Sequence, residues 1–454
     1  MRSFMPPHLV SPPGPPLRIA VVGAGISGLS VAWLLSRGGH AVTLYEAEPR
    51  LGGHSHTVDA PAPHGPVAVD TGFIVYNETN YPNLTALLDH LGVAAKPAPM
   101  FFSVSLDGGA FEYSTSGMGA LFAQRRNLLS PRFWAMLRDV RRFHRNAPVD
   151  LPALEASLSS LGAYLADRGY CAAFREAHLL PQAAAIWSSS VEQMASYPAA
   201  AFIRFYKNHR LLEIDTKPNW RTVDGGSRAY VERLAAGFRG EVLKGDPVVG
   251  VFRAPGEARV RTASGRDDAY DQVLIAAHSD QALRLLDQPT PDERRLLGAI
   301  RYQPNRVVLH RDAGLMPKRR AAWAEWNYVG DSNAGGEGGV TYWMNRLQSL
   351  PGPPLFVSLN PARRPRPETV LYEQEFEHPI FDAAAIAAQR ELWSLQGVRR
   401  TWFCGAWFGS GFHEDGLQAG LAAAEQLGGV RRPWSVANES GRIWLSAAEA
   451  EAAA

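Results

Sequence analysis

Residues 17–22 are apolar and strand-like, residues 23–28 read as a glycine-rich turn, and residues 29–36 carry the apolar spacing of a helix. A second strand-like run at 41–45 ends in Glu46. This order is the strand, helix, strand unit that a parallel sheet requires. Further strands of the same domain are predicted at 248–252, 258–262, 272–276 and 401–404, so that domain draws on distant parts of the chain. Between them, 96–215 is rich in helix formers and aromatics, and 300–395 mixes strand-like runs with Pro and Gly turns. The pattern divides the chain into a tail at 1–16, a discontinuous first domain at 17–95, 216–299 and 396–432, a second domain at 96–215 and 300–395, and an extension at 433–454.

One segment carries a strong amphipathic pattern. Phe133, Met136, Leu137, Val140 and Phe143 fall on one helical face, while Arg132, Arg138, Arg141, Arg142 and Arg145 supply charge, with Arg125 and Arg126 upstream. Two readings stand open: a basic helix lying in the headgroup plane of an anionic membrane, or a helix packing its apolar face on the core and solvating its arginines.

Composition narrows the partners. A formal charge of +2 over 454 residues gives no reason to expect nucleic acid. Two cysteines, Cys171 and Cys404, are too few for a disulfide framework and lack metal-site spacing, so both are expected to be thiols in a reducing cytoplasm, with no metal site. The first sixteen residues hold six prolines and no signal-like apolar run, and glycines interrupt the apolar stretch at 19–35, so neither a leader nor a transmembrane segment is expected. The Ala/Glu-rich end at 447–454 reads as frayed.

The chemistry begins at Gly23-Ala24-Gly25-Ile26-Ser27-Gly28, a G-x-G-x-x-G placed after a strand and opening a helix. The first glycine permits the tight turn, the second lets backbone approach a pyrophosphate, and the third lets the helix lie close to the sheet. Helix N–H groups then face the phosphates, and Glu46 would accept from a ribose. Ala47-Glu48-Pro49-Arg50-Leu51-Gly52-Gly53-His54 follows, a second glycine pair that would carry the chain under the cofactor with an arginine nearby. Near the end, a strand at 401–404 runs into Gly405, and Gly411-Phe412-His413-Glu414-Asp415-Gly416 opens a helix whose free N–H groups would face a ligand group on which negative charge collects.

These stretches resemble the flavin-containing amine oxidase superfamily, which includes phytoene desaturases. The fold implied is α/β with an α+β substrate part: a Rossmann-like FAD-binding domain and a discontinuous substrate domain. His54 stands where that superfamily commonly has arginine, with His56 two residues on. A closer resemblance rests on Val69-Asp70-Thr71-Gly72-Phe73-Ile74-Val75-Tyr76-Asn77, Ala185-Ile186-Trp187-Ser188-Ser189-Ser190, Trp220-Arg221-Thr222-Val223-Asp224-Gly225-Gly226-Ser227 and Tyr342-Trp343-Met344-Asn345-Arg346-Leu347-Gln348. With the 411–416 motif, these are similar to the NAD/FAD-binding proteins encoded beside cyclopropane-fatty-acid-synthase-like methyltransferases, which include the desaturase of furan fatty acid synthesis.

The resemblance implies non-covalent FAD held by Gly23, Gly25, Ile26, Ser27, Gly28, Glu46, Ala47, Arg50, Leu51, Gly52, Gly53, His54, Thr71, Gly72, Val248, Gly405, Phe412, His413, Glu414 and Asp415. It also implies a lipid acyl substrate, a functional link to a fatty acyl methyltransferase, and a cytoplasmic location with the inner face of the plasma membrane as a docking surface. His413, Tyr342 and Trp187 are the catalytic candidates. Trp323, Trp326, Tyr328, Trp343, Phe73 and Tyr76 are further aromatics divided between core and an apolar tunnel, and Ser188, Ser189 and Ser190 read as polar lining. Two departures separate the chain from amine oxidases: Phe412 stands where a tyrosine is usual, and Arg306 is the counterpart of a lysine near flavin N5. The expected reaction is acyl desaturation by hydride transfer to flavin N5. Oxidation of an amine or other small apolar substrate, and a non-catalytic flavin-bearing scaffold, are the alternatives.

Overall fold

A computed structural model describes residues 15–157, 159–213, 219–332 and 338–445. The expected tail at 1–16, except residues 15 and 16, and the end at 447–454 lie outside them. The first apolar run is the strand Arg18–Val22, buried from Ile19 onward. It is the middle of a five-stranded sheet in the order Glu241–Lys244, Ala41–Glu46, Arg18–Val22, Gln272–Ile275, Thr401–Phe403. Every neighbouring pair is parallel. A strand covered on both faces needs no polar alternation, which is why its sequence is a continuous Ile-Ala-Val-Val run.

Two helices from opposite ends of the sequence, Ile26–Arg37 and His413–Gly428, pack directly on each other. Their approach depends on glycine. A Cβ at Gly416 would stand 2.7 Å from Ser27 Oγ, and one at Gly420 would stand 2.6 Å from the Ser27 carbonyl oxygen.

The segments expected at 248–252 and 258–262 are strands that lie outside the parallel sheet. They form a separate antiparallel sheet, Val248–Arg253, Ala258–Thr262 and Asp267–Tyr270. The connections explain this, because only a few residues separate the strands and a parallel crossover needs about a dozen or more. The missing edge of the parallel sheet is Glu241–Lys244, whose Glu-Val-Leu-Lys sequence is largely exposed and carries no apolar run.

A seven-stranded sheet forms the other half, in the order Val370–Ile380, Arg301–His310, Phe356–Leu359, Gly338–Trp343, Trp326–Gly330, Phe102–Leu106, Phe111–Ser114. It is antiparallel except where Trp326–Gly330 meets Phe102–Leu106. Two of its strands come from the stretch read as helical.

The arginine-bearing helix runs from Pro131 to Ser157, with Pro148 and Pro152 inside it. Phe133, Met136 and Phe143 are fully buried, and Phe143 meets Tyr170, Phe174, Phe202 and Tyr206 at ring separations of 5.6–6.4 Å or 6.5 Å. The apolar face of this helix is therefore core, which removes it as a membrane-inserting face. Arg132, Arg138, Arg141 and Arg145 are exposed. Arg142 folds back over the Tyr170 ring at 4.2 Å and donates to the Gly169 carbonyl at 2.9 Å.

Beyond the last helix the chain returns along it. Arg432 is buried and donates through Nε and Nη2 to Glu425, each at 2.8 Å, and through Nη1 to Asn83 Oδ1 at 2.8 Å. Among the described residues no helix is long and apolar enough to cross a membrane.

Candidate functional site

A cavity of about 750 Å³ opens at the carboxyl ends of the parallel strands, where open α/β sheets bind ligands. One end is lined by Gly23, Gly25, Ile26, Ser27, Glu46, Ala47 and Val248. Gly23 has φ of 101°, and a Cβ there would meet the Ala276 carbonyl oxygen at 2.8 Å. Gly25 differs: its φ is −70°, and a Cβ would find nothing within 4 Å because it would stand in the cavity itself. Helix Ile26–Arg37 has no side-chain cap and no acid in its first turn. Its free N–H groups and positive dipole end are therefore open to an anion at this turn. Glu46 accepts from the Ala24 and Glu48 N–H groups at 2.8 and 2.9 Å, which fixes its carboxylate beside the turn.

His54 supplies a second sign of a ligand. It lines the cavity, and its Nε2 is buried with no hydrogen-bond partner among the described residues. Burial holds its pKa well below the ordinary histidine value, so the ring is neutral. A glycine turn with open space at Gly25, a bare helix start and an unsatisfied imidazole nitrogen fit a dinucleotide cofactor. Gly53, Thr71, Gly72 and Gly405 continue the lining.

Six residues expected to touch cofactor do not line the cavity. A Cβ at Gly28 would collide with the Gly23 carbonyl, so this glycine serves the closeness of helix and turn. Gly52 donates its N–H to the Ala24 carbonyl at 2.8 Å, Arg50 donates to the Gly53 carbonyl at 2.8 Å, and Leu51 packs on the core. Glu414 accepts from the N–H groups of Asn83 and Leu84, both at 3.0 Å, and so fastens the start of helix Pro82–Leu91. Asp415 accepts from the Phe412 N–H at 2.8 Å and pairs with Arg442 at 2.6 Å. These carboxylates anchor the last helix from behind. His56 likewise turns away, with Nδ1 2.7 Å from Thr71 Oγ1.

His413 stands where that helix opens into the cavity. Its ring stacks on Phe73 at 3.9 Å with 8° between planes. Nε2 lies 2.6 Å from the Tyr230 hydroxyl and 3.1 Å from Ser55 Oγ, and those two hydroxyls bond each other. Burial lowers the His413 pKa to about 3, so the ring is neutral near pH 7. With Nε2 held in this network, Nδ1 is the ring nitrogen without a partner among the described residues.

One stretch of the wall is apolar, although Gln182, Gln281, Arg284 and Glu377 also line the cavity. Trp187, Phe205, Trp326, Tyr342, Val357 and Leu359 line it, with Trp187 4.5 Å from Phe205 and Trp326 edge-on to Tyr342 at 5.2 Å. Burial raises the Tyr342 phenol, which stays neutral. Trp323, Tyr328, Trp343 and Tyr76 are outside this wall: Trp323 and Trp343 share the Arg320 guanidinium, while Tyr76 and Tyr328 are core. Ser188 lines the cavity, whereas Ser190 caps helix Val191–Ser196. Arg306 pairs with Glu373 at 2.6 Å outside the cavity, and the next residue, Val307, faces inward.

Sequence reasoning missed His278, Tyr302, Phe376 and His378, which also line the cavity. His278 stacks on Tyr302 at 4.4 Å, and burial lowers the His378 pKa to about 4. The two-residue spacing of Phe376 and His378 on strand Val370–Ile380 was the signal that places both on one face. Asp70 joins the motifs in space rather than in chemistry. It accepts from the Ser227 N–H at 2.9 Å, from Thr57 Oγ1 at 2.6 Å and from Gln348 Nε2 at 2.8 Å, clasping three motifs together.

Among the described residues no group of three His, Cys, Asp or Glu is placed to hold a metal ion. The family described as flavin containing amine oxidoreductase matches residues 26–311, more than half of the 454. An L-amino-acid oxidase of Pseudechis australis is 55% identical over 42 residues, 9% of this chain and 8% of that protein. One of Sistrurus catenatus edwardsii is 42% identical over 66 residues, 14% and 13% of the two chains. The chain thus matches only a small part of these relatives' length. A CLA-producing fatty acid isomerase from P. acnes superposes with a TM-score of 0.66 at 18% identity, covering 90% of this chain and 97% of that one. Cyclohexylamine oxidase from Brevibacterium oxydans IH-35A gives 0.65 at 18% identity, covering 91% and 100%. At such identities the likeness is one of fold.

Proposed function

Because the chain belongs to the flavin-containing amine oxidoreductase family, we propose that it binds FAD without a covalent link and desaturates a lipid acyl chain, a methyl-branched fatty acyl group of phospholipid. The observation that supports this reading is the apolar stretch formed by Trp187, Phe205, Trp326, Tyr342, Val357 and Leu359, against which an alkyl chain can pack. The fatty acid isomerase of the same fold lends support, since that protein acts on a fatty acid. In this reading 17–95, 216–299 and 396–432 form the cofactor domain and 96–215 and 300–395 the substrate domain. A cytoplasmic fatty acyl methyltransferase would supply the branch.

Bound flavin supplies a two-electron acceptor for the hydrogen that desaturation releases. The chain's own residues would do the rest. Gly25, Ile26 and Ser27 hold the pyrophosphate, Glu46 the ribose, and His54, Gly405 and His413 the ring end. The aromatic wall excludes water and orients the acyl chain. Its π faces favour positive charge developing at a branched carbon, where a methyl substituent helps as well. His413, neutral and locked by Tyr230 and Ser55, presents Nδ1 as a fixed polar group at the reacting end.

Anaerobic mixing with methyl-branched or unsaturated acyl phospholipid dispersed in detergent is expected to bleach the flavin and give a product lighter by two hydrogens. Benzylamine, polyamines and NADPH should bleach it far less. Reduction by amines but not lipids would refute the acyl reading, and flavin remaining on acid-denatured chain would refute non-covalent binding. His413→Ala should slow bleaching by about 10- to 100-fold, the size of a lost preorganised polar contact, a larger effect than its loss of flavin, because the N–H groups of the helix start would still hold the cofactor. An unchanged rate would take His413 out of the reaction.

A further inference from the structure

Beside the first cavity lies a second, about 1580 Å³, which opens along the arginine-bearing face of helix Pro131–Ser157. The two share a wall made of Met100, Phe101, Phe102, Gln182, Leu211 and Trp220. Six arginines and one glutamate are the acids and guanidiniums of its lining. Arg141 and Arg145 pair with no carboxylate among the described residues, and Asp139, which Arg138 and Arg142 approach at 3.5 Å, is buried.

Next to this mouth the chain leaves large apolar side chains in water. Met118 is 70% exposed, Leu128 48%, Leu129 89% and Trp134 49%. They form one patch. Trp134 Nε1 donates to the Leu128 carbonyl at 2.9 Å, the Trp134 ring lies 5.7 Å from Phe122, and Phe122 follows directly on the short helix Met118–Leu121. Trp134 and Leu121 also line the second cavity, so patch and mouth are continuous. Arg125, Arg126 and Arg132, all exposed, complete the surround.

Apolar side chains in front and unpaired guanidiniums around them match a bilayer whose acyl region lies just below a layer of phosphate. The net charge of the whole chain is only +2, so this is a local concentration of cation rather than a general property of the surface. We propose that this face docks on a bilayer containing anionic phospholipid. The second cavity is then the passage by which an acyl chain reaches the first. The passage rests on the desaturase reading; the docking does not.

The test is co-sedimentation of the full-length flavin-loaded protein with vesicles of phosphatidylethanolamine and phosphatidylglycerol, compared with phosphatidylcholine alone. Wild type should sediment with the anionic vesicles, and less so as salt rises. The pair Leu128→Asp with Leu129→Asp, and separately Arg141→Glu with Arg145→Glu, should each weaken that binding by about fivefold or more, with flavin content and melting unchanged. All four positions are surface residues outside the cofactor cavity. Wild type that fails to sediment, that binds phosphatidylcholine equally, or whose binding falls less than that in both variants would overturn the proposal, and would leave an acidic protein surface as the partner to seek. Bleaching by detergent-dispersed lipid needs no vesicle, so a protein that desaturates but does not sediment sinks docking alone, and one that sediments but does not desaturate sinks only the passage.

Discussion

Gly25→Val is expected to give a folded, soluble chain that carries almost no flavin. Gly25 has an ordinary φ of −70°, so a branched residue does not strain the backbone, and its Cβ meets no protein atom within 4 Å. The space it fills is the space in which a pyrophosphate would meet the bare start of helix Ile26–Arg37. Excluding that contact should weaken cofactor binding by about 100-fold or more, equivalent to about 3 kcal/mol. The comparison that makes this specific is Gly28→Val, whose side chain would drive into the Gly23 carbonyl and damage the turn itself. Flavin absorbance per mole of purified protein, together with circular dichroism, distinguishes the two: Gly25→Val should lose the first and keep the second, and Gly28→Val should lose both. Full flavin occupancy in Gly25→Val would show that the turn does not hold the cofactor.

Arg432→Ala should destabilise the fold by about 3–5 kcal/mol, because it leaves a buried carboxylate without its main partner. Both members of the Arg432–Glu425 pair have no exposed side-chain surface, and Arg432 also satisfies Asn83 and the Glu439 carbonyl. Arg431 still reaches Glu425 at 2.8 Å from a partly exposed position, which puts the expected loss toward the lower end. Replacing both residues, Arg432→Leu with Glu425→Leu, should recover most of it, since a buried pair is costly mainly when broken rather than when absent. Urea unfolding midpoints measure both. A loss below about 1 kcal/mol in the single variant would mean that the pair contributes nothing beyond its own desolvation.

The parallel core was legible because burial on both faces removes polar residues, so Ile19 to Val22 and Gln272 to Ile275 announce themselves. The edge strand Glu241–Lys244 was not, since one side faces water and Val242 is itself exposed. The glycine turn and the place of Glu46 beside it could be read from the sequence, because each depends on local geometry. Arg50, Glu414 and Asp415 could not, because a motif reports that a residue is required and not whether it faces the ligand or braces the wall behind it. The same limit applies to the helix at 131–157: its spacing disclosed an apolar face, and only packing against Phe174 and Tyr206 shows that this face points inward. His278 and His378 escaped notice because they come from separate elements that meet only in the folded chain.

The packing of helix Ile26–Arg37 against His413–Gly428 also bears on how the protein is made. Translation delivers the glycine turn about 390 residues before the helix His413–Gly428. Between them the strand Arg18–Val22 waits for Gln272–Ile275, its partner on one side, which emerges about 250 residues later. A nascent chain therefore exposes an apolar strand and an unfinished nucleotide turn over that interval, and contacts of such sequence separation form slowly. Flavin can act as a seal on the finished fold, but it has no complete site to bind while the ribosome is still adding residues before His413.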